Sequence, residues 1–270
     1  NTAFAHHGFD ALYLPFAVHP GHLEIAVKSI VALHICGVNV TIPHKQAVLP
    51  WLDELSPEAR LIGAVNTIHR RDGRLIGYNT DGIGFLRALE EAGSEVAGRT
   101  VMLLGSGGAA RAIAVQLCLS RIRRLYLANR TPTRAQELAR FLKQNVPDAD
   151  ISVVSMGESS LAAHLPHSDI VVNATSVGMH PGDPMVLPST ELGPRHLVCD
   201  IVYRPLQTPL LRVAQQQGAQ TVDGLGMLLH QGAKAFEIWT EQAFPIPLIR
   251  ARLLEALGEQ PSAGYPPYKE

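Results

Sequence analysis

Apolar residues along this chain follow two rhythms. Between about residue 99 and residue 223, short apolar runs alternate with longer stretches of helical spacing. Residues 100–104, 124–128, 151–154, 170–173, 197–202 and 220–222 read as strands, most of them apolar on both sides. Helices are expected between them, from the glycine string after residue 104 to Leu119, over 133–144 and over 208–217. Such alternation predicts a parallel sheet covered on both faces.

The first 95 residues are less regular. Leu12, Leu14 and Phe16 alternate and predict a strand over 11–18. Ile25, Ile30, Leu33 and Ile35 predict a helix over 23–35 that Gly37 ends, followed by a short strand over 38–42. The runs 61–68 and 75–79 flank Arg70-Arg71-Asp72-Gly73 and predict a hairpin. A helix over 84–92 is closed by Gly93. Residues 226–258 read as two helices broken by Phe244-Pro245-Ile246-Pro247. The Pro/Gly/Tyr-rich residues 259–270 read as a disordered tail.

The expected fold is therefore α/β with two domains. A small α/β domain spans 1–95, a doubly wound nucleotide-binding domain spans 96–223, and the helices of 224–258 return to the first.

Composition narrows the function. The 270 residues are 46% hydrophobic with a formal net charge of −1, so no global field points to nucleic acid or an anionic membrane. Cys36, Cys118 and Cys199 lie far apart in apolar runs, without metal-ligand spacing, and read as reduced core thiols of a cytoplasmic protein. No run reaches membrane-spanning length and no signal peptide is visible. No metal site is expected. Basic charge comes from eighteen arginines and only five lysines, which makes a lysine in a polar block notable.

Gly105-Ser106-Gly107-Gly108-Ala109-Ala110 follows an apolar strand and opens a helix, the context of a dinucleotide loop. Gly105 permits the turn, Gly107 lets the backbone approach a pyrophosphate, and the helix N-terminus offers N–H groups to the anion. The second strand ends in Asn129-Arg130-Thr131, with Arg134 one turn on, where an NAD site would place a carboxylate. Arg130 and Arg134 attract a 2′-phosphate and the Thr131 hydroxyl can donate to it, which favours NADP.

Lys45 stands after Val38-Asn39-Val40-Thr41-Ile42-Pro43-His44, and Asp81 stands in Asn79-Thr80-Asp81-Gly82. A lysine can transfer a proton when burial moves its pKa toward neutral, and a carboxylate can orient it or bind a substrate hydroxyl. A surface ion pair between unrelated residues is the alternative.

These blocks resemble those of shikimate dehydrogenase. The resemblance is carried by Gly37–Lys45, Gly63-Ala64-Val65-Asn66-Thr67, Gly77–Gly82, Gly105–Ala109, Asn129-Arg130-Thr131, Asn173–Met179, Asp200-Ile201-Val202-Tyr203-x-Pro205 and Asp223–Gln231, in order. It implies NADPH-dependent reduction of 3-dehydroshikimate to shikimate, in aromatic amino-acid biosynthesis. Lys45 is then the proton-transfer residue and Asp81 its partner. Thr41, Lys45, Asn66, Asp81, Tyr203 and Gln231 would contact substrate. Gly105, Ser106, Gly107, Gly108, Ala109, Asn129, Arg130, Thr131, Arg134, Ile201, Gly224 and Met227 would line the NADP(H) site. The Asn173–Met179 block is expected to touch cofactor, His44 to be a spacer or surface residue, and His230 to serve packing. A homodimer is carried as the oligomeric form.

The family opens with a strand and a loop of paired serines that hold the substrate carboxylate. The present sequence starts after that point, so a preceding segment is expected. Without one, a non-catalytic NADP-binding relative is the alternative, as is a quinate/shikimate dehydrogenase of mixed NAD and NADP use.

Overall fold

The computed structural model describes residues 1–146, 148–187 and 191–258; the tail expected over 259–270 lies outside them. The chain forms two compact units, Asn1–Thr80 with Leu229 onward, and Asp81–Leu228. The sequence-based boundaries were drawn at residues 95 and 223.

In the first unit, α1 (Thr2–His6) and α2 (Leu23–Ala32) precede β1 (Gly37–Asn39). Then come α3 (His44–Ala47), β2 (Glu54–Leu55), α4 (Pro57–Ile62), β3 (Thr67–Arg71) and β4 (Arg74–Tyr78). The sheet order is β1-β3-β4-β2, antiparallel except for the β2–β4 pair. The hairpin is tighter than expected: Arg70 and Arg71 belong to β3, and Asp72 and Gly73, both at positive φ, make the turn. Leu23, Val27, Ile30, Val48, Ala59, Val65, Ile68 and Leu75 form this unit's core.

Three expectations for this unit fail. Residues 11–18 form no strand: the Tyr13 N–H donates to Asn1 Oδ1 at 2.6 Å, and the Asn1 side-chain amide donates to the Tyr13 carbonyl at 3.1 Å. With its central backbone groups on a side chain, no ladder forms there, and Leu12 and Phe16 stay 78% and 72% exposed. The helix expected over 23–35 stops at Ala32 and buries Leu23, Val27 and Ile30, while Ile25 and Leu33 face solvent. Residues 61–62 belong to α4 rather than to a strand. Ser56 caps that helix by accepting from the Ala59 N–H, Pro57 sits in its first turn, and Gly63 closes it at φ 71°.

The second unit holds α5 (Asp81–Glu91), β5 (Thr100–Leu104), α6 (Gly108–Leu119), β6 (Arg124–Ala128), α7 (Pro132–Asn145) and β7 (Ile151–Val154). It continues with α8 (Glu158–His164), β8 (Ile170–Asn173), β9 (Leu197–Asp200), α9 (Pro209–Gln216) and β10 (Gln220–Val222). The six strands are all parallel in the order β10-β9-β8-β5-β6-β7. This is the doubly wound dinucleotide order, whose direction reverses between β5 and β8. Residues of β5, β8 and β9 are buried throughout, as strands covered on both faces require.

Helix α10 (Gly224–Thr240) begins in the second unit and ends in the first, and α11 (Ile246–Leu257) follows. In the first unit the Trp239 indole N–H donates to the Ile68 carbonyl at 2.9 Å. Phe236 packs against Phe4, Phe9 and Phe244. Cys118 and Cys199 are buried as expected, but Cys36, in the turn after α2, is exposed. Burial pushes the Cys118 thiol up to about 12 and raises that of Cys199 as well.

Candidate active site

In the first unit, Lys45 is the second residue of the short helix α3 and is half-buried. Two backbone bonds lace its loop to the strand-to-strand segment beside it: Val40 N–H to the Asn66 carbonyl and Val65 N–H to the Lys45 carbonyl, each 2.8 Å. Thr41, Lys45 and Asn66 are thereby brought together. Thr41 is exposed, whereas Asn66 is only 3% exposed. The Asn66 amide oxygen accepts from the Thr80 N–H at 2.8 Å, and its amide nitrogen donates to the Thr80 hydroxyl at 3.0 Å. Asn66 thus fixes the backbone immediately before Asp81. Gln231 and His230 are half-buried on α10.

His44 is not a surface spacer. It is 9% exposed, and its ring Nε2 lies 2.8 Å from the Val18 carbonyl, which can only accept, so Nε2 carries the proton. The bond ties the end of the strandless segment 11–18 to the turn that carries Lys45.

In the second unit, Asp81 opens α5 and is 6% exposed. A carboxylate in a first helical turn is favoured by the helix dipole. The next residue, Gly82, lets α5 lie against α6: a Cβ there would stand 2.7 Å from the Ala112 carbonyl oxygen.

The glycine loop takes the expected form. Gly105 has φ 110°, its N–H donates to the Ala128 carbonyl at 2.8 Å, and a Cβ on it would stand 2.8 Å from the Ala174 carbonyl oxygen. Gly107 and Gly108 are exposed, and a Cβ on either would meet nothing within 4 Å. That open face lies at the N-terminus of α6, whose first N–H groups have no partner within the helix. Ser106 and Ala109 are half-buried.

Beside it, Asn129 Nδ2 donates to the Thr131 carbonyl at 2.9 Å. Arg130, Thr131 and Arg134 are exposed, and the first turn of α7 carries no acidic residue. At the neighbouring strand ends, the Ile201 N–H donates to the Asn173 carbonyl at 3.0 Å. Gly224 sits so close to the Ile201 carbonyl that no side chain would fit. The second unit thus gathers Gly105–Ala109, Asn129–Arg134, Ile201 and Gly224 at the C-terminal ends of its strands, the edge where open α/β sheets take ligands. Met227 is 8% exposed on α10, and Tyr203 is 44% exposed beyond β9.

Asp200, the last residue of β9, is a functional candidate that only the structure brings out. It is 2% exposed, and burial raises its pKa against the pull of its hydrogen bonds. A carboxylate closing an otherwise apolar strand was the available signal. Among the described residues, no group of three or more His, Cys, Asp or Glu side chains could hold a metal ion.

Comparison with known proteins agrees with this layout. Residues 1–68 match the model of the shikimate dehydrogenase substrate binding domain. Residues 87–180 match shikimate / quinate 5-dehydrogenase, and 224–254 the shikimate 5′-dehydrogenase C-terminal domain. Shikimate dehydrogenase (NADP+) of Desulforamulus reducens is 49% identical over 93% of this chain and 87% of its own length. That of Symbiobacterium thermophilum is 49% identical over 97% and 90%. A Listeria monocytogenes shikimate 5-dehydrogenase, solved with shikimate and NAD, superposes with a TM-score of 0.90 at 40% identity, covering 93% of this chain and 89% of that one. With this similarity running the length of both units, the chain belongs to the shikimate dehydrogenase family.

Proposed function

We propose that the chain reduces 3-dehydroshikimate to shikimate with NADPH, as a step of aromatic amino-acid biosynthesis. The observation that carries the reading is the open mouth at Gly107 and Gly108 beside an acid-free first turn of α7 bearing Arg134. The α6 N-terminus would hold the pyrophosphate, and Arg130, Arg134 and Thr131 the 2′-phosphate. Ile201, Gly224 and Met227 would border the rest of the cofactor. When bound, NADPH supplies the hydride that reduces the carbonyl carbon.

The chain's own part is proton transfer and positioning. Lys45 would give a proton to the carbonyl oxygen as it gains electrons, and recover one from solvent afterwards. Asp81 would accept from a substrate hydroxyl. Thr41, Asn66, Tyr203 and Gln231 would supply further donors and acceptors to a polyol ring. On this reading residues 1–95 with the helices of 224–258 form the substrate domain, residues 96–223 form the NADP-binding domain, and the enzyme works in the cytoplasm as a homodimer. No helix among the described residues is long and apolar enough to cross a membrane.

The test is NADP+ reduction followed by absorbance, with shikimate against quinate and NADP+ against NAD+. Shikimate with NADP+ should give the highest kcat/KM. Lys45→Ala should lower kcat by about 10²-fold or more with little change in KM, the pattern of a lost general acid. Turnover that survives this substitution nearly intact removes Lys45 from the mechanism. A second reading, a quinate/shikimate dehydrogenase of mixed nucleotide use, is favoured by the NAD bound in the Listeria relative. It is adopted if quinate and NAD+ serve comparably well.

A further inference from the structure

Asp200 is a nearly fully buried carboxylate whose described partners are all neutral donors. Its Oδ1 accepts from Asn173 Nδ2 and from the Val202 N–H, each at 3.0 Å, and its Oδ2 accepts from the Thr208 hydroxyl at 2.7 Å. The three donors come from three different places at the C-terminal edge of the parallel sheet. Asn173 ends β8, Val202 lies in the loop after β9, and Thr208 is the N-cap of α9.

Each donor also holds something else. Asn173 Nδ2 donates to the Val177 carbonyl at 3.0 Å, and its Oδ1 accepts from the Thr175 N–H and hydroxyl at 3.1 and 2.7 Å. The Thr175 hydroxyl oxygen in turn accepts from the Val177 N–H at 3.1 Å. Thr208 accepts from the Leu211 N–H with the oxygen whose proton goes to Asp200. The carboxylate thus sits at the root of the turn over 173–178 and of the loop starting at Ile201.

The first segment packs under the glycine loop, and the second packs against the start of α10. Gly105 packs on the Ala174 carbonyl, and Gly224 packs on Ile201 and Val202 with no room for a Cβ. Burial disfavours the charge on Asp200, and the hydrogen bonds from Thr208, Val202 and Asn173 oppose that penalty. A neutral acceptor of the same shape would avoid that penalty but would hold its donors more weakly. A charge-bearing side chain here therefore acts through the strength with which it orders its donors, since hydrogen bonds to an ionised acceptor are about twice as strong as neutral ones.

We propose that Asp200 is a positioning residue for cofactor binding: it fixes the 173–178 turn and the Ile201–Val202 backbone against which the nucleotide is held. The proposal rests on the assignment of the glycine loop, Ile201 and Gly224 to NADP(H). It predicts a defect in nucleotide affinity, distinct from a general loss of stability and from a loss of substrate affinity.

The test uses the full chain with Asp200→Ala, Asp200→Asn and a stability reference, Leu142→Ala, which opens a cavity under α7 away from the strand ends. NADPH binding is titrated by cofactor fluorescence, KM is measured for NADP+ and for shikimate, and thermal melting is recorded for each variant. Asp200→Ala should weaken NADPH binding and raise KM for NADP+ about tenfold, with KM for shikimate within twofold. Asp200→Asn keeps an acceptor for Asn173 and Val202 but turns a donor toward Thr208, and should fall between. Leu142→Ala should melt lower yet bind NADPH within twofold of wild type. Wild-type affinity in Asp200→Ala overturns the proposal, as does wild-type affinity in Asp200→Asn if the alanine variant does not fold. A KM for shikimate that rises in step with that for NADP+, or an equal loss in Leu142→Ala, also overturns it. A wild-type chain that binds no NADPH overturns the cofactor assignment and this proposal together, whereas normal wild-type binding with unaffected variants overturns only the role of Asp200.

Discussion

Single residues set several contacts that the sequence pattern hides. Gly37 lies where the Trp239 indole fills the space of a side chain, and the same indole donates to Ile68. Gly37→Ala must displace the ring and break that bond, for a combined cost of about 2–4 kcal/mol. Urea unfolding followed by tryptophan fluorescence measures it, and a change under about 0.5 kcal/mol would show that the ring relaxes freely. Asp200 gives a pH signature. Its native pKa lies above the unfolded value because burial outweighs its hydrogen bonds, so between those two values the native state binds more protons than the unfolded state. Stability from this group therefore falls as pH rises through that window, starting from the ordinary aspartate value of about 3.9. The melting temperature of wild type minus that of Asp200→Asn should decline from pH 4 upward and then level off. A difference that rises with pH would contradict the cause assigned to the shift. At this scale the turn at Gly105 was legible because a glycine string directly after an apolar strand marks it. His44 was not, because its partner is the Val18 carbonyl, a backbone group that no side-chain pattern marks.

At the scale of elements, legibility followed burial. Strands β5, β8 and β9 of the second unit were readable because both faces are covered, and a largely apolar run has few alternatives. Alternation at Leu12, Leu14 and Phe16 carried no such guarantee. A period of two states which way side chains point, and says nothing about whether a neighbouring strand takes the backbone. Helix α4 was written in its caps, Ser56-Pro57 and Gly63, yet the apolar run after Leu61 outweighed them in the reading. The end of β6 and the start of α7 carry a prediction of their own. Arg130 and Arg134 are exposed on an element with no acid in its first turn, so each is available to a dianionic phosphate. A charge-assisted bond there contributes about 1.5–3 kcal/mol. Replacing both by alanine should raise KM for NADP+ by 10²-fold or more while leaving KM for NAD+ within about threefold. The NADP+ penalty should shrink at high salt as the wild-type interaction is screened. Equal losses with the two nucleotides would move the 2′-phosphate site elsewhere.

Among the described residues each unit has its own hydrophobic core, the first built on Leu23, Val27, Ile30 and Ile68, the second including Met102, Leu104, Val171 and Val198. Its two tryptophans, Trp51 and Trp239, both belong to the first unit, whereas all six strands of the parallel sheet belong to the second. Tryptophan fluorescence therefore reports one unit, and far-ultraviolet circular dichroism reports both. Chains with separate cores commonly depart from two-state unfolding. A ligand that binds a folded unit stabilises it by RT ln(1 + [L]/Kd), about 2.7 kcal/mol at a hundredfold excess over Kd. The cofactor reading places every nucleotide-binding residue from Gly105 to Met227 in the second unit. Added NADP+ should therefore raise the denaturant midpoint seen by circular dichroism and move the fluorescence midpoint less. Shikimate should act more on the fluorescence midpoint, since Thr41, Lys45, Asn66 and Gln231 lie in the first unit and only Asp81 and Tyr203 in the second. The shared helix α10 works against this separation, because its 17 residues run through the division at Leu228. If both probes move together at every ligand concentration, coupling through α10 dominates and the two units unfold as one; if NADP+ moves the fluorescence midpoint further than the circular-dichroism midpoint, the cofactor assignment to the second unit is wrong.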